Sequence, residues 1–177
     1  MKLNKLLLAG ALSLCAFTSM ANEADLLQEV KISAASQEAD IKNNQVIFHG
    51  PVEISQGSIK IKADELRAFT KENDSGKILV ATGKPATYSQ IMEDGRPASA
   101  SANEIRYELS TRTLTLLGNA TLEQDGSQVT GNQIRYNIEL QQLIAESKEG
   151  DRVITIIKPE NYQEALPVKD QPKQEKQ

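Results

Sequence analysis

The chain has one cysteine, one histidine and no tryptophan among 177 residues, and aromatic side chains make up only 4% of it. Each scarcity excludes something. The cysteine is Cys15, inside the apolar leader described below, so the exported chain has no disulfide and must be held by its own core. The histidine, His49, has no second ligand near it and precedes a turn glycine, which reads as a surface strand end and not as a metal site. Ser99 and Ser101 lack the Gly-x-Ser-x-Gly surround of a nucleophile elbow. No Gly-x-x-x-x-Gly-Lys-Ser/Thr loop is present to cradle a nucleotide. Asp64 and Glu104 occupy similar places in separate repeats and read as turn or edge residues. No catalytic residue, metal or cofactor is therefore expected; a repetitive β-fold acting on polysaccharide is the enzymatic alternative, checked by a hydrolase or lyase assay. The missing tryptophan also denies a membrane β-barrel its aromatic girdles.

What is present begins with a leader. Lys2 and Lys5 precede an apolar run from Leu6 to Phe17, and Ser19-Met20-Ala21 puts small residues before a cleavage point. Residues 1–21 read as a secretory signal peptide, the run being about half the ~20 residues that span a bilayer. Leu14 is too large for the position before a lipidated cysteine. The remaining 156 residues keep all 24 acidic but only 18 of the 20 basic side chains, a net charge of −6. That balance argues against nucleic acid, whose phosphates need a basic face, and against a polybasic membrane binder. Export to the periplasm is expected.

Turn signals recur at short intervals: Asn43-Asn44, Gly50-Pro51, Gln56-Gly57, Gly83-Lys84-Pro85, Asp94-Gly95, Gly118-Asn119, Asp125-Gly126, Gly131-Asn132 and Gly150-Asp151 among them. Short runs rich in Val, Ile, Leu, Thr and Tyr lie between, which predicts an all-β domain over residues 22–160, with 161–177 a polar, disordered tail. Only Glu23–Glu29 and Glu160–Leu166 have the character of short helical turns. Alternation is the clearest signal. Ile105, Tyr107 and Leu109 share one face opposite Arg106 and Glu108; Ile134, Tyr136 and Ile138 share one opposite Arg135 and Asn137; Leu66 and Ala68 lie opposite Arg67. The three arginines read as solvated. The phrase repeats because the chain does: a displacement of 68 residues carries Gly50 to Gly118, Ile61 to Val129 and Arg67 to Arg135 without a gap, and a middle copy runs from Thr82 to Tyr107. Stacked strand–turn–strand units of this kind bury a continuous core together that none buries alone.

Gln56-Gly57-Ser58-Ile59-Lys60-Ile61-Lys62-Ala63-Asp64, Gly83-Lys84-Pro85-Ala86-Thr87-Tyr88, Leu117-Gly118-Asn119-Ala120 and Gly150-Asp151-Arg152-Val153-Ile154-Thr155 stand in this order along the chain. The ordered set resembles the OstA-like (LptA) family of periplasmic lipopolysaccharide-transport proteins over about residues 30–160. It departs from that family in a short loop at 70–77, in Thr82 before Gly83, and in the unmatched stretch 22–29. The resemblance implies an open, twisted β-jellyroll of about 14 to 16 short antiparallel strands. It implies head-to-tail stacking into a bridge between two membranes and an apolar interior for the acyl chains of lipid A. The implied partners are lipopolysaccharide, further copies of the chain, an LptC-like inner-membrane component and an LptD-like outer-membrane component.

A carrier of acyl chains needs a continuous apolar lining, since exposing ten methylenes to water costs on the order of 8 kcal/mol. Matching positions imply Val30, Ile32, Phe48, Tyr88, Tyr107 and Leu109 as lipid contacts, and Ile105, Ile134, Tyr136 and Ile138 join them by parity. An unclosed roll leaves unpaired backbone at both ends. Val30–Ala34, with Val30 and Ile32, is the expected first edge; Val153–Ile157, with Val153, Thr155 and Ile157, is the expected last one. Pairing last to first is heterologous and does not close, so it grows a filament. The alternative of a different class is a periplasmic scaffold or protein-binding module that holds no lipid, separated by a lipopolysaccharide pull-down competed with lipid A.

Overall fold

The alternating runs form strands, and almost every strand pairs with its neighbour in sequence. The structure, a computed structural model, describes residues 23–70, 76–137 and 139–163. A short helix, α1 (Glu23–Leu26), leads into β1 (Lys31–Ser33), β2 (Ser36–Asp40), β3 (Gln45–Gln56), β4 (Ile59–Thr70), β5 (Lys77–Ile91), β6 (Pro97–Glu108), β7 (Thr113–Gln124), β8 (Ser127–Asn137), β9 (Gln142–Glu146) and β10 (Ile154–Ile156), and a second short helix, α2 (Pro159–Gln163), follows. All strands belong to one antiparallel ten-stranded sheet in the order β1-β3-β4-β5-β6-β7-β8-β10, with β2 also on β3 and β9 also on β8. The 68-residue repeat is structural: it superposes the bounds of β3, Gln45–Gln56, on those of β7, Thr113–Gln124. The leader and the end of the expected tail lie outside the described residues.

Ten strands stand where 14 to 16 shorter ones are expected, because several turn signals are not turns. Gly50-Pro51, Gly83-Lys84-Pro85 and Gly118-Asn119 lie inside β3, β5 and β7, where the register slips between His49 and Val52, between Thr82 and Ala86, and between Leu117 and Ala120. These are β-bulges, which kink a strand and admit a proline that regular pairing would reject. They line up across the sheet with Asp64, Asn103 and Asn132 and form one crease. Gly50 shows why the crease needs glycine: a Cβ there would lie 2.1 Å from the Asp64 carbonyl oxygen.

The crease folds the sheet onto itself. Ala86 and Ala102 are 0% exposed, and Val52, Leu116, Ala120 and Ile134 are 1% exposed. No long helix covers the sheet among the described residues, so the cover is its other half. One cluster joins residues from both sides of the crease: Leu66, Ala81, Ile105, Leu116 and Ile134 on the first arm, Val52, Ala63, Ala86, Ala100, Ala102 and Ala120 on or near the second. Four alanines beside the crease let the arms approach closely there. The result is an open, bent single sheet, a roll that does not close.

Candidate functional site

Register carries the apolar residues from strand to strand in unbroken rows. On the first arm the row nearest the crease runs Phe48, Leu66, Ala81, Ile105, Leu116, Ile134, Ala145, each paired with the next. The next row out runs Val46, Ala68, Leu79, Tyr107, Leu114, Tyr136, Leu143. On the second arm Ile32, Ile54, Ile61, Tyr88, Ala100, Leu122, Val129 and Thr155 form a third. With strands ~4.8 Å apart, eight strands make a lining roughly 34 Å long, perpendicular to the strands. It is tight at the crease and looser farther out, where Ile54, Ile61, Tyr88, Tyr107, Leu114, Leu122, Val129 and Tyr136 are only half-buried.

Among the expected lipid contacts, Phe48, Tyr88, Ile105, Tyr107, Ile134 and Tyr136 lie in these rows, Ile105 and Ile134 deepest at 5% and 1% exposure. Ile32 stands at the row's open end on β1, and Val30 just before that strand; both are exposed. Leu109 lies past the end of β6, exposed, its N–H donating to the Lys77 carbonyl. Ile138 is outside the described residues. Burial pushes the Tyr88 phenol up to about 12, with Asp25 and Tyr107 adding to it. The Tyr107 phenol is also raised by burial, against a smaller lowering by Arg112.

Both edges are split at the crease in the same way. β1 and β2 lie end to end along β3, bridged by the Ala35 N–H to the His49 carbonyl at 3.0 Å. β9 and β10 lie end to end along β8. Among the described residues, every strand of the two edges has a free side. On the last edge Thr155 turns inward beside Val129, whereas Ile154 and Ile156 turn outward and are 57% and 55% exposed. With exposed Ile144 on β9 they form an outward apolar patch that the sequence reading did not single out. The signal was there, because Val153–Ile157 breaks the alternation and is apolar on both faces, the mark of a strand meant to be covered on both.

The outward face of the first arm carries ion pairs around a buried Val80. Arg67, Val80, Arg106, Thr115 and Arg135 form one row, and Arg67 Nε meets Glu65 at 2.6 Å while Arg106 Nε meets Glu104 at 3.5 Å. A recess of about 340 Å³ between these pairs is floored by Val80 and Phe69. The repeated arginines thus lie on strands inside the sheet, not at an edge. His49 sits within β3, not at a strand end, flanked by Glu65 at 3.5 Å and Glu38 at 3.8 Å. Among the described residues no group of three His, Cys, Asp or Glu side chains is placed to hold a metal.

The helix α1 closes the turn end of the second arm. Asp25, 5% exposed, accepts from the Ser58 N–H at 2.8 Å, the Ser58 hydroxyl at 2.5 Å and Gln90 Nε2 at 3.5 Å, and Gln90 in turn accepts from the Tyr88 hydroxyl at 2.5 Å. Gly57, at φ +58°, leaves the room: a Cβ there would lie 2.1 Å from Asp25 Oδ1. The Ser58 hydroxyl and then the Ser58 N–H hold the Asp25 carboxyl below its ordinary value of 3.8. Its contribution to stability is therefore present above that value and lost as pH falls through the lower folded one. We expect the melting temperature of the wild type to fall more steeply than that of Asp25→Asn between about pH 5 and pH 2, read by circular dichroism. Equal slopes would remove Asp25 from the acid response.

A family model described as "LptA/(LptD N-terminal domain) LPS transport protein" matches residues 31–142. The lipopolysaccharide export system protein LptA of Escherichia coli K12 is 34% identical over 160 residues, covering 90% of this chain and 86% of that protein. Its namesake in Haemophilus influenzae is 35% identical over 164 residues, covering 92% of this chain and 95% of that one. Among solved structures, LptH of Pseudomonas aeruginosa, titled the LptA-homologous periplasmic component of the lipopolysaccharide transport device, matches with a TM-score of 0.66 at 26% identity over 77% of this chain and 99% of that one. On sequence and on fold alike, the chain belongs to the LptA/LptD N-terminal domain family of lipopolysaccharide transport proteins.

Proposed function

We propose that the chain is a periplasmic lipopolysaccharide carrier that shelters the acyl chains of lipid A between the two arms and stacks head to tail to extend that shelter. One observation carries the reading: an apolar row on the second arm crosses the sheet from β1 to β10, two more on the first arm run from β3 to β9, and among the described residues the sheet ends at both sides on unpaired backbone. A sealed core has no reason to run out to two open edges, whereas a conduit does. The lining suits sliding, because aliphatic contacts are non-directional.

Topology supports the stacking. β1 and β2 run in the direction opposite to β9 and β10, since six antiparallel strands separate the two edges. A second copy placed edge to edge therefore continues the antiparallel ladder. It also sets β10 against β1 on the second arm and β9 against β2 on the first, so both linings and the crease are continuous. The exposed Ile154 and Ile156 would be covered in that joint. The membrane components at the two ends of such a stack would be an LptC-like and an LptD-like protein, each offering an edge of the same kind.

The test is a photo-crosslinking residue at Tyr107, on the inner face, and another at Arg106, on the outer. Capture of lipopolysaccharide at 107 and its absence at 106 is the expected result. Capture at 106 alone would overturn the inner lining, and capture at neither would favour a scaffold that holds no lipid.

A further inference from the structure

The interior is largely apolar, and the described residues leave one buried side-chain polar atom there without a partner. The Tyr136 hydroxyl is buried, turned inward beside the row of Ile134, and has no hydrogen-bond partner. Its neighbours across the ladder are Leu114 on β7 and Leu143 on β9, neither of which offers a side-chain acceptor. Of the other inward tyrosines, Tyr88 is already satisfied by Gln90 at 2.5 Å. A buried hydroxyl without a partner is costly, and phenylalanine would fill the same space without that cost. A partner supplied by the ligand removes the penalty.

Accepting the lipid reading above, on which this rests, we propose that the Tyr136 hydroxyl hydrogen-bonds an oxygen carried part-way along an acyl chain, so that the interior discriminates 3-hydroxyacyl lipid from lipid with plain chains. The chemistry follows from the place. Methylenes and terminal methyls give the phenol nothing to bond. A 3-hydroxyl, or the ester oxygen of a chain esterified there, enters the apolar zone with its chain and presents an acceptor at fixed distance from the headgroup. A site built to hydrogen-bond a ligand oxygen penalises the analogue that lacks it, because the protein's own polar atom is then left buried and unpaired. The rest of the lining lets chains slide; Tyr136 gives them a stopping point, at the end of the first arm near the last edge.

The test is a two-by-two comparison. The ethanolamides of 3-hydroxytetradecanoic and tetradecanoic acid are titrated against the wild type and Tyr136→Phe by displacement of a fluorescent fatty-acid probe. The extra hydroxyl alters solubility equally for both proteins, so the quantity read is the ratio of the two dissociation constants in each. We expect that ratio to shift by about three- to ten-fold against the hydroxylated ligand in Tyr136→Phe. An unchanged ratio with both ligands bound overturns this inference and leaves the lipid reading standing. Failure of the wild type to bind either ligand overturns both. A second measurement needs no variant: the chain has no tryptophan and four tyrosines, so its near-ultraviolet absorption reports tyrosine directly. The 3-hydroxy ligand should produce a tyrosine difference spectrum that the plain chain does not; matching spectra count against the proposal.

Discussion

Deleting residues 153–177 should leave a folded chain that no longer assembles. The truncation removes β10 and its two outward isoleucines but no residue of the buried cluster. Half-burial of each isoleucine in a joint is worth ~1 to 1.5 kcal/mol, so losing both weakens association by roughly 100-fold before any ladder hydrogen bond is counted. Sedimentation velocity across a concentration series measures it, and unchanged growth with concentration would remove β10 from the joint. A companion experiment asks which edges meet. Ile32 and Thr155 occupy one row of the sheet. If the crease is continuous between copies, Ile32 of one copy faces Thr155 of the next. The double variant Ile32→Cys with Thr155→Cys should oxidise to a ladder of dimers, trimers and higher species. Thr155→Cys alone should form no disulfide-linked dimer; a cross-linked dimer from the single variant would show that like edges meet and that the assembly closes.

The second large effect is expected at the crease. Gly50→Ala places a methyl group against the Asp64 carbonyl, which is backbone and cannot rotate away. Either β3 or β4 must shift, and both carry the crease. We expect a loss of about 3 kcal/mol or more, beyond the usual range for a single added methyl group. Gly95→Ala is the comparison. Gly95 has φ +80° but nothing within 4 Å of its would-be Cβ, so only the cost of the left-handed backbone remains, about 1 to 2 kcal/mol. Urea melts of the two variants separate crowding from strain. Equal losses would mean that the approach of Gly50 to Asp64 is not what holds the bend.

Much of this was legible in the residues. Period-two alternation around Arg67, Arg106 and Arg135 gives the faces of β4, β6 and β8 because side chains on a strand have no other choice. The 68-residue displacement gives the stacking of hairpins. Less legible was the role of the glycine and proline pairs. A turn and a bulge demand the same backbone freedoms, and only the pairing of Gly50-Pro51 opposite Asp64, across the ladder, tells them apart. The outward isoleucines of β10 went unread because parity assigns faces on the assumption that one of them is wet. At a joint between copies neither need be. The orphaned hydroxyl of Tyr136 is invisible to sequence altogether: it depends on what Leu114 and Leu143, on two other strands, fail to provide.

The coincidence of β3 with β7 under one displacement has a consequence for size. Inside the chain, hairpin already docks on hairpin through the β4–β5 and β6–β7 ladders, by the same backbone contacts that a neighbouring molecule would make. A joint between stacked molecules would then be an internal joint with the covalent link left out. On the proposed stacking, reach would be a matter of dosage instead of chain length: a cell would lengthen or shorten the span by how many units it supplied, and a tandem fusion of two units would behave as one ordinary link of double length.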